Sequence, residues 1–202
     1  MKKYLMVLSV LISAVCQAQN CAHTSLSKNL DFTISVKRFK VNNRNIDSCK
    51  ITVEVKHKLS PKKQIINFSS GYMFSNDFTD CKDVRSYITG IGKNAEVLDN
   101  AYGDFIVADF NFDGKEDFAV KNDSGGNGGP FYNYYLQDTK GIFVLDSFLT
   151  NTMIYFPSII DKKHKTLVTL VHANAVSVSE STYQFTFETG KWKEIKNRII
   201  KN

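Results

Sequence analysis

Asp104-Phe105-Ile106-Val107-Ala108-Asp109-Phe110-Asn111-Phe112-Asp113-Gly114-Lys115-Glu116-Asp117-Phe118-Ala119-Val120 sets a loop of acids between two short apolar runs. Counted from Asp109, oxygen-bearing side chains stand at the first, third, fifth and ninth places: Asp109, Asn111, Asp113 and Asp117. Gly114 at the sixth place can take the sharp reversal that turns the carbonyl of Lys115 inward, leaving the lysine side chain to solvent. Calcium takes about six to eight oxygen ligands, and this spacing offers roughly five before any water is counted. Carboxylates at 109, 113 and 117 repel one another without a cation. The expectation is a Ca2+ site at Asp109, Asn111, Asp113, Lys115 and Asp117. An EF-hand is a poor fit, because its twelfth place is Val120 and the flanks read as strands. Magnesium is a weaker choice, since it demands a tighter octahedron that keeps several waters. An ordinary turn rich in Asp, Asn and Gly is the bland alternative.

Outward from this loop the pattern is period two. Phe32, Ile34 and Val36 alternate with polar residues, as do Ile51, Val53 and Val55, then Tyr132, Tyr134 and Leu136, then Tyr183, Phe185 and Phe187. Each run suits a strand with one buried face. Glu188-Thr189-Gly190-Lys191-Trp192 and Thr139-Lys140-Gly141 read as hairpin turns. No long stretch carries a 3.6-residue apolar stripe, although Asp80–Ile88 could form a short helix or turn. An all-β, antiparallel domain of roughly eight to twelve strands follows. No linker divides it and the acidic loop occurs once.

Met1-Lys2-Lys3, an apolar run to Val15, and Cys16-Gln17-Ala18 read as a secretory signal peptide over residues 1–18. Cys16 is a poorer lipoprotein site, lacking the usual leucine three places earlier and a small residue directly before it. Residues 19–202 then form one domain, with 19–29 expected as a mobile lead. The apolar run is too short for a membrane span and no later segment is longer, so a periplasmic or secreted protein is expected. The chain carries net charge +6, reduced to +4 once Lys2 and Lys3 are removed. So small and scattered a charge, on an exported chain, makes nucleic acid a poor partner. Export also favours disulfides. Cys49 and Cys81 both flank strand-like segments and are the expected pair, leaving Cys21 as the odd thiol.

Val107 to Phe118, continued by Ser124-Gly125-Gly126-Asn127-Gly128-Gly129-Pro130-Phe131-Tyr132-Asn133-Tyr134-Tyr135-Leu136, carries a family resemblance. The loop resembles the calcium loop of FG-GAP/VCBS-type β-propeller repeats. With its continuation, it resembles a family of exported, calcium-binding, propeller-like proteins, one of which inhibits a lysozyme-like effector of a type IV secretion system. That family is similar to periplasmic inhibitors of invertebrate-type lysozyme. The resemblance spans Val107 to Leu145 and implies a propeller-like fold and a lysozyme-like partner. It also implies an inhibitory loop, carried here by Ser124, Gly125 and Tyr132. In such inhibitors the tyrosine stands closer to the Ser-Gly pair than Tyr132 does. The alternative for Tyr132 and Tyr134 is a place in the core of a strand.

An enzyme is not expected. No Gly-x-Ser-x-Gly elbow, phosphate-cradling Gly-Lys-Ser/Thr or zinc spacing occurs, and His23, His57, His164 and His172 have no evident partners. The expected function is an exported calcium-binding envelope protein of the lysozyme-inhibitor or immunity type. The alternative is a surface adhesion or structural module in which calcium only stabilises the fold.

Overall fold

The structure, a computed structural model, describes residues 19–40 and 47–201. The signal-peptide reading falls on residues 1–18, outside the described residues. Thirteen described strands form three sheets. The first sheet is a meander of β1 (Gln19–His23), β2 (Leu30–Lys40), β3 (Asp47–His57) and β4 (Lys63–Ser69). The central sheet comprises β5 (Val84–Ser86), β6 (Phe105–Ala108), β7 (Asp117–Gly126), β8 (Gly129–Gln137) and β9 (Phe143–Leu145). The third is a meander of β10 (Ile159–Asp161), β11 (Thr166–Asn174), β12 (Ser177–Thr186) and β13 (Lys191–Lys201). Every pairing is antiparallel except β5 with β6. The all-β expectation holds. The described strands close no barrel or propeller, and each sheet keeps its own edges.

The period-two rule explains the layering. Phe105, Val107, Phe118, Val120, Tyr135 and Phe143 point from the central sheet into one core, shared with Phe32, Ile34, Ile51, Val53 and Val55 of the first. The intervening Ile106, Ala108, Ala119, Tyr132 and Tyr134 point into a second core, shared with Leu167, Tyr183 and Trp192 of the third. With both faces covered, β6 is buried at every residue, which is why its sequence is a solid apolar run.

Asp80–Ile88 forms no helix. It contains a turn and then β5, whose residues hydrogen-bond in parallel to β6. The regular helix among the described residues is one π turn, Leu149–Met153. Both expected hairpin turns are present, with Gly141 and Gly190 at φ 81° and 62°, where side chains are disfavoured.

Two expectations at the N-terminal end are corrected. Residues 19–29 are no mobile lead: Gln19–His23 pairs with β2, and Leu26 is buried in the first core. The disulfide joins Cys21 to Cys81, with Cα atoms 5.2 Å apart, and Cys49 is the buried free thiol. The reason is the β2–β3 register. Cys49 lies opposite Arg38 and faces the core, with its backbone N–H bound to Ser70 Oγ. β1 carries Cys21 to the loop that holds Cys81.

Candidate functional site

β7 joins two unusual features, one at each end. At its start is the acidic loop. Phe110 is wholly buried in the second core and Phe112 packs on Trp192, so the apolar residues between the oxygens pin the loop to the domain. The loop then folds on its own side chains. Asp109 Oδ2 accepts from Gly114 N (3.1 Å), Asn111 Oδ1 from Asp113 N (3.2 Å), and Asp113 Oδ1 from Lys115 N (2.9 Å). Gly114 has φ 86°. These bonds curl Asp109, Asn111 and Asp113 around one turn, as the spacing demands. Asp109 Oδ1 is buried and has no hydrogen-bond partner among the described residues.

The remaining positions differ from the simple reading. Asp117 is fully buried, and both its oxygens accept backbone bonds, from Phe110 N (2.9 Å) and Gln137 N (2.8 Å). Burial, reinforced by the charges of Asp113 and Asp109, pushes its carboxyl up to about 8. Burial likewise raises Asp109. Lys115 does not point away to solvent. Its Nζ reaches Asp138 O at 3.0 Å and lies 3.5 Å from Asp113 Oδ2. Among the described residues no three His, Cys, Asp or Glu side chains converge closely enough to hold a metal ion. The first half of the loop is a tight turn closed on its own side chains, with Asp109 Oδ1 left over. Asp117 serves first as the brace that joins the loop to β8. An ionised carboxylate still has lone pairs beyond those two bonds.

Glu116 escaped the sequence reading. It is buried and accepts hydrogen bonds from Ser27 Oγ and from Lys28 N (3.1 Å), tying the loop to the turn between β1 and β2. Its only signal was being the one acid of the loop out of ligand phase.

At the other end of β7 is the glycine hairpin. β7 and β8 run almost to its tip, where Gly126 pairs with Gly129 and Gly126 and Asn127 are exposed. Gly125 has φ 65°, and a Cβ there would lie 1.9 Å from Gly129 O. A Cβ on Gly129 would meet Asp99 O at 2.4 Å. The glycines thus permit close backbone approach within the fold.

Ser124 and Tyr132 do not face outward. Tyr132 is 1 % exposed, packs on Phe156 and donates from its hydroxyl to Gly103 O at 2.9 Å. As a partner contact it is corrected to a core residue, because β8 turns it towards the second core. Ser124 is also buried: its Oγ donates to Asp77 Oδ2 and accepts from Phe74 N at 2.7 Å. Gly125 is partly buried and its N–H is bound to Asp123 Oδ1 at 2.7 Å.

Beneath the hairpin lies a charge network that sequence reasoning missed. Lys121 Nζ is 2.7 Å from Asp77 Oδ1 and 2.8 Å from Asp104 Oδ1, with all three side chains buried. Phe78 N donates to Asp104 Oδ2 at 2.6 Å. Burial pushes the Asp104 carboxyl up to about 6, against the opposing pull of Lys121. For Lys121 burial works downward, but the two aspartates outweigh it and raise its pKa. A lysine directly after Phe118-Ala119-Val120 was the available signal. Above the network, a cleft of about 800 Å³ opens between the hairpin, Leu98–Ala101 and the end of β11 with Ala175 after it.

The all-β class, with a central sheet covered on both faces, is the frame for comparison with known proteins. No family model matches the chain, and no curated protein matches its sequence. A solved structure described as a Xanthomonas type IV secretion system related protein is similar to it with a TM-score of 0.50. That likeness covers 91 % of this chain and 99 % of that one at 17 % identity, so it shows a shared fold.

Proposed function

We propose that this is an exported calcium-binding protein of the bacterial envelope that binds and inhibits a peptidoglycan-cleaving enzyme, as an immunity protein does. The observation that carries the proposal is the construction of β7. One strand of ten residues begins at the last acid of the loop and ends at an exposed glycine hairpin on the rim of a cleft. A cation held by Asp109, Asn111, Asp113 and the Lys115 carbonyl, with Asp117 bracing or completing the set, would stiffen the root of that strand. The surface offered to the enzyme is then the tip at Gly126–Asn127 and the cleft beside it, since Ser124 and Tyr132 are inside. The fold shared with a protein related to a type IV secretion system is compatible with this role. The Cys21–Cys81 bridge fits an oxidising compartment.

The test is residual muramidase activity when the protein, started at residue 19, is mixed with lysozymes of several structural types in calcium and in chelator. Inhibition of one type, weakened by chelator and by Asn127→Arg, is expected. Folded, calcium-loaded protein that leaves every type fully active would overturn the proposal. That result, with calcium still raising Tm, would favour the structural or adhesion module.

A further inference from the structure

The third sheet ends in a strand with an unpartnered side. Among the described residues β13 hydrogen-bonds to β12 alone, and at 11 residues it is the longest edge of any described sheet. Of the other edges, β5, β9 and β10 have three residues each, β1 is tied by its disulfide, and β4 has seven. Trp192 anchors the root of β13 in the second core, where it packs on Phe185 at 5.2 Å. Beyond it, every residue from Lys193 to Ile199 is exposed. A register shift falls at Ile195, between the pairs Tyr183–Glu194 and Thr182–Lys196. From Lys196 to Lys201 the pairing runs unbroken. That stretch presents backbone donors and acceptors with no described strand beside them.

We infer that the Lys196–Lys201 edge of β13 receives an extended, acidic segment of a partner protein as an added strand. The charge of the edge selects this occupant. β13 carries Lys191, Lys193, Lys196, Arg198 and Lys201 against the single acid Glu194. Glu180 on β12 pairs with Lys196 and Arg198 at 2.9 Å, which holds those two side chains across the sheet. Among the described residues Lys191, Lys193 and Lys201 have no ion-pair partner. A second copy of this chain would set lysines against lysines, and like charges facing across strands are destabilising. An acidic strand meets the opposite sign, while main-chain bonds supply affinity and side chains at alternate positions supply selectivity. Ile195 and Ile199, 49 % and 59 % exposed, offer apolar contacts on the same strand. Lys201 pairs with Ser177, two residues past Ala175, which lines the cleft with the end of β11. The added strand therefore lies next to the cleft rim, yet it needs neither calcium nor a muramidase, so the inference goes beyond the proposed inhibition.

The test uses the full folded protein and two short synthetic peptides, one alternating glutamate with valine and one alternating lysine with valine. Amide hydrogen exchange is followed along β13. At a concentration about ten times Kd, the acidic peptide should slow exchange of the bound outer amides about tenfold, because only the free fraction exchanges. The protection should fall as salt is raised, and should vanish in Lys193→Glu/Lys201→Glu with its Tm unchanged. Should that variant not fold, the salt series on the wild type decides. Absence of protection at millimolar peptide would overturn the inference, as would equal protection by the lysine peptide. Protection of β13 without any peptide, with a doubled mass in solution, would identify a second copy as the occupant and also overturn it.

Discussion

The two ends of β7 are built by opposite means. At the acidic loop, one side-chain oxygen each of Asp109, Asn111 and Asp113 is bound by a backbone group no more than five residues away. At the hairpin, Lys121 and Ser124 are held by Asp77, which lies 44 and 47 residues earlier. The first arrangement is a property of a short peptide and recurs wherever its spacing recurs. The second exists only when separate segments have been brought together, so it should be lost cooperatively with the fold.

The contrast is broken most severely at the hairpin. Tyr132→Ala should cost ~3–5 kcal/mol of stability, the range for a large aromatic removed from a packed core. Lys121→Met should cost ~3–5 kcal/mol, since Asp77 and Asp104 would then be buried without a counter-charge. Chemical denaturation of both variants measures these effects, and losses under ~1 kcal/mol would show the network to be solvated. A Lys121→Met/Asp77→Asn/Asp104→Asn triple variant should recover much of the loss, because it leaves no buried charge.

The disulfide sharpens the same point one step lower. Its cysteines are 60 residues apart, and reduction should release chain entropy worth ~4 kcal/mol. Non-reducing peptide mapping should find Cys21 linked to Cys81 and Cys49 alkylated only after unfolding. A Cys49–Cys81 peptide would reject the structure here.

Asp104 gives the network a pH signature. Its carboxyl, at about 6 in the folded protein, holds a proton more tightly than in the unfolded chain, where ~3.9 is usual. It therefore favours the fold below pH ~4, and that contribution is lost as pH rises through about 6. The stability of the wild type relative to Asp104→Asn should fall by ~2 kcal/mol between about pH 4 and pH 7. A difference that is flat with pH would contradict the burial.

The smallest effect belongs to the local end. Calcium at about 100 times its Kd should stabilise the protein by ~2.7 kcal/mol. Asp109→Ala should abolish that gain while costing the metal-free protein only about 1 kcal/mol, the typical net worth of the single Gly114 N–H bond that Asp109 Oδ2 accepts. Calorimetric titration and melting in chelator measure both. A melt indifferent to calcium would remove the metal from the proposal and leave the glycine hairpin standing alone.

Alternation along Phe32–Val36, Ile51–Val55 and Tyr183–Phe185 was legible because each strand has one face against a core. Tyr132 was legible only as two readings, since a tyrosine after a glycine hairpin suits an interface or an interior equally. Asp80–Ile88 was illegible as β5, because its three bonded residues obtain their pairing from β6 and not from their own pattern. The cysteines misled for a related reason: nearness to strands in sequence carries no information on which strands meet.

Sequence alone determined what depends on neighbours within a few residues: strand period, hairpin glycines, and a loop whose oxygens curl about one turn. Those follow from backbone sterics and local hydrogen bonding. Tertiary structure decided which side of each strand became interior, that Cys21 and not Cys49 reached Cys81, and that Lys121 would find two aspartates. Such pairings depend on the register and stacking of whole sheets, where burial outweighs any local preference and a shift of one residue would turn every side chain to the other face.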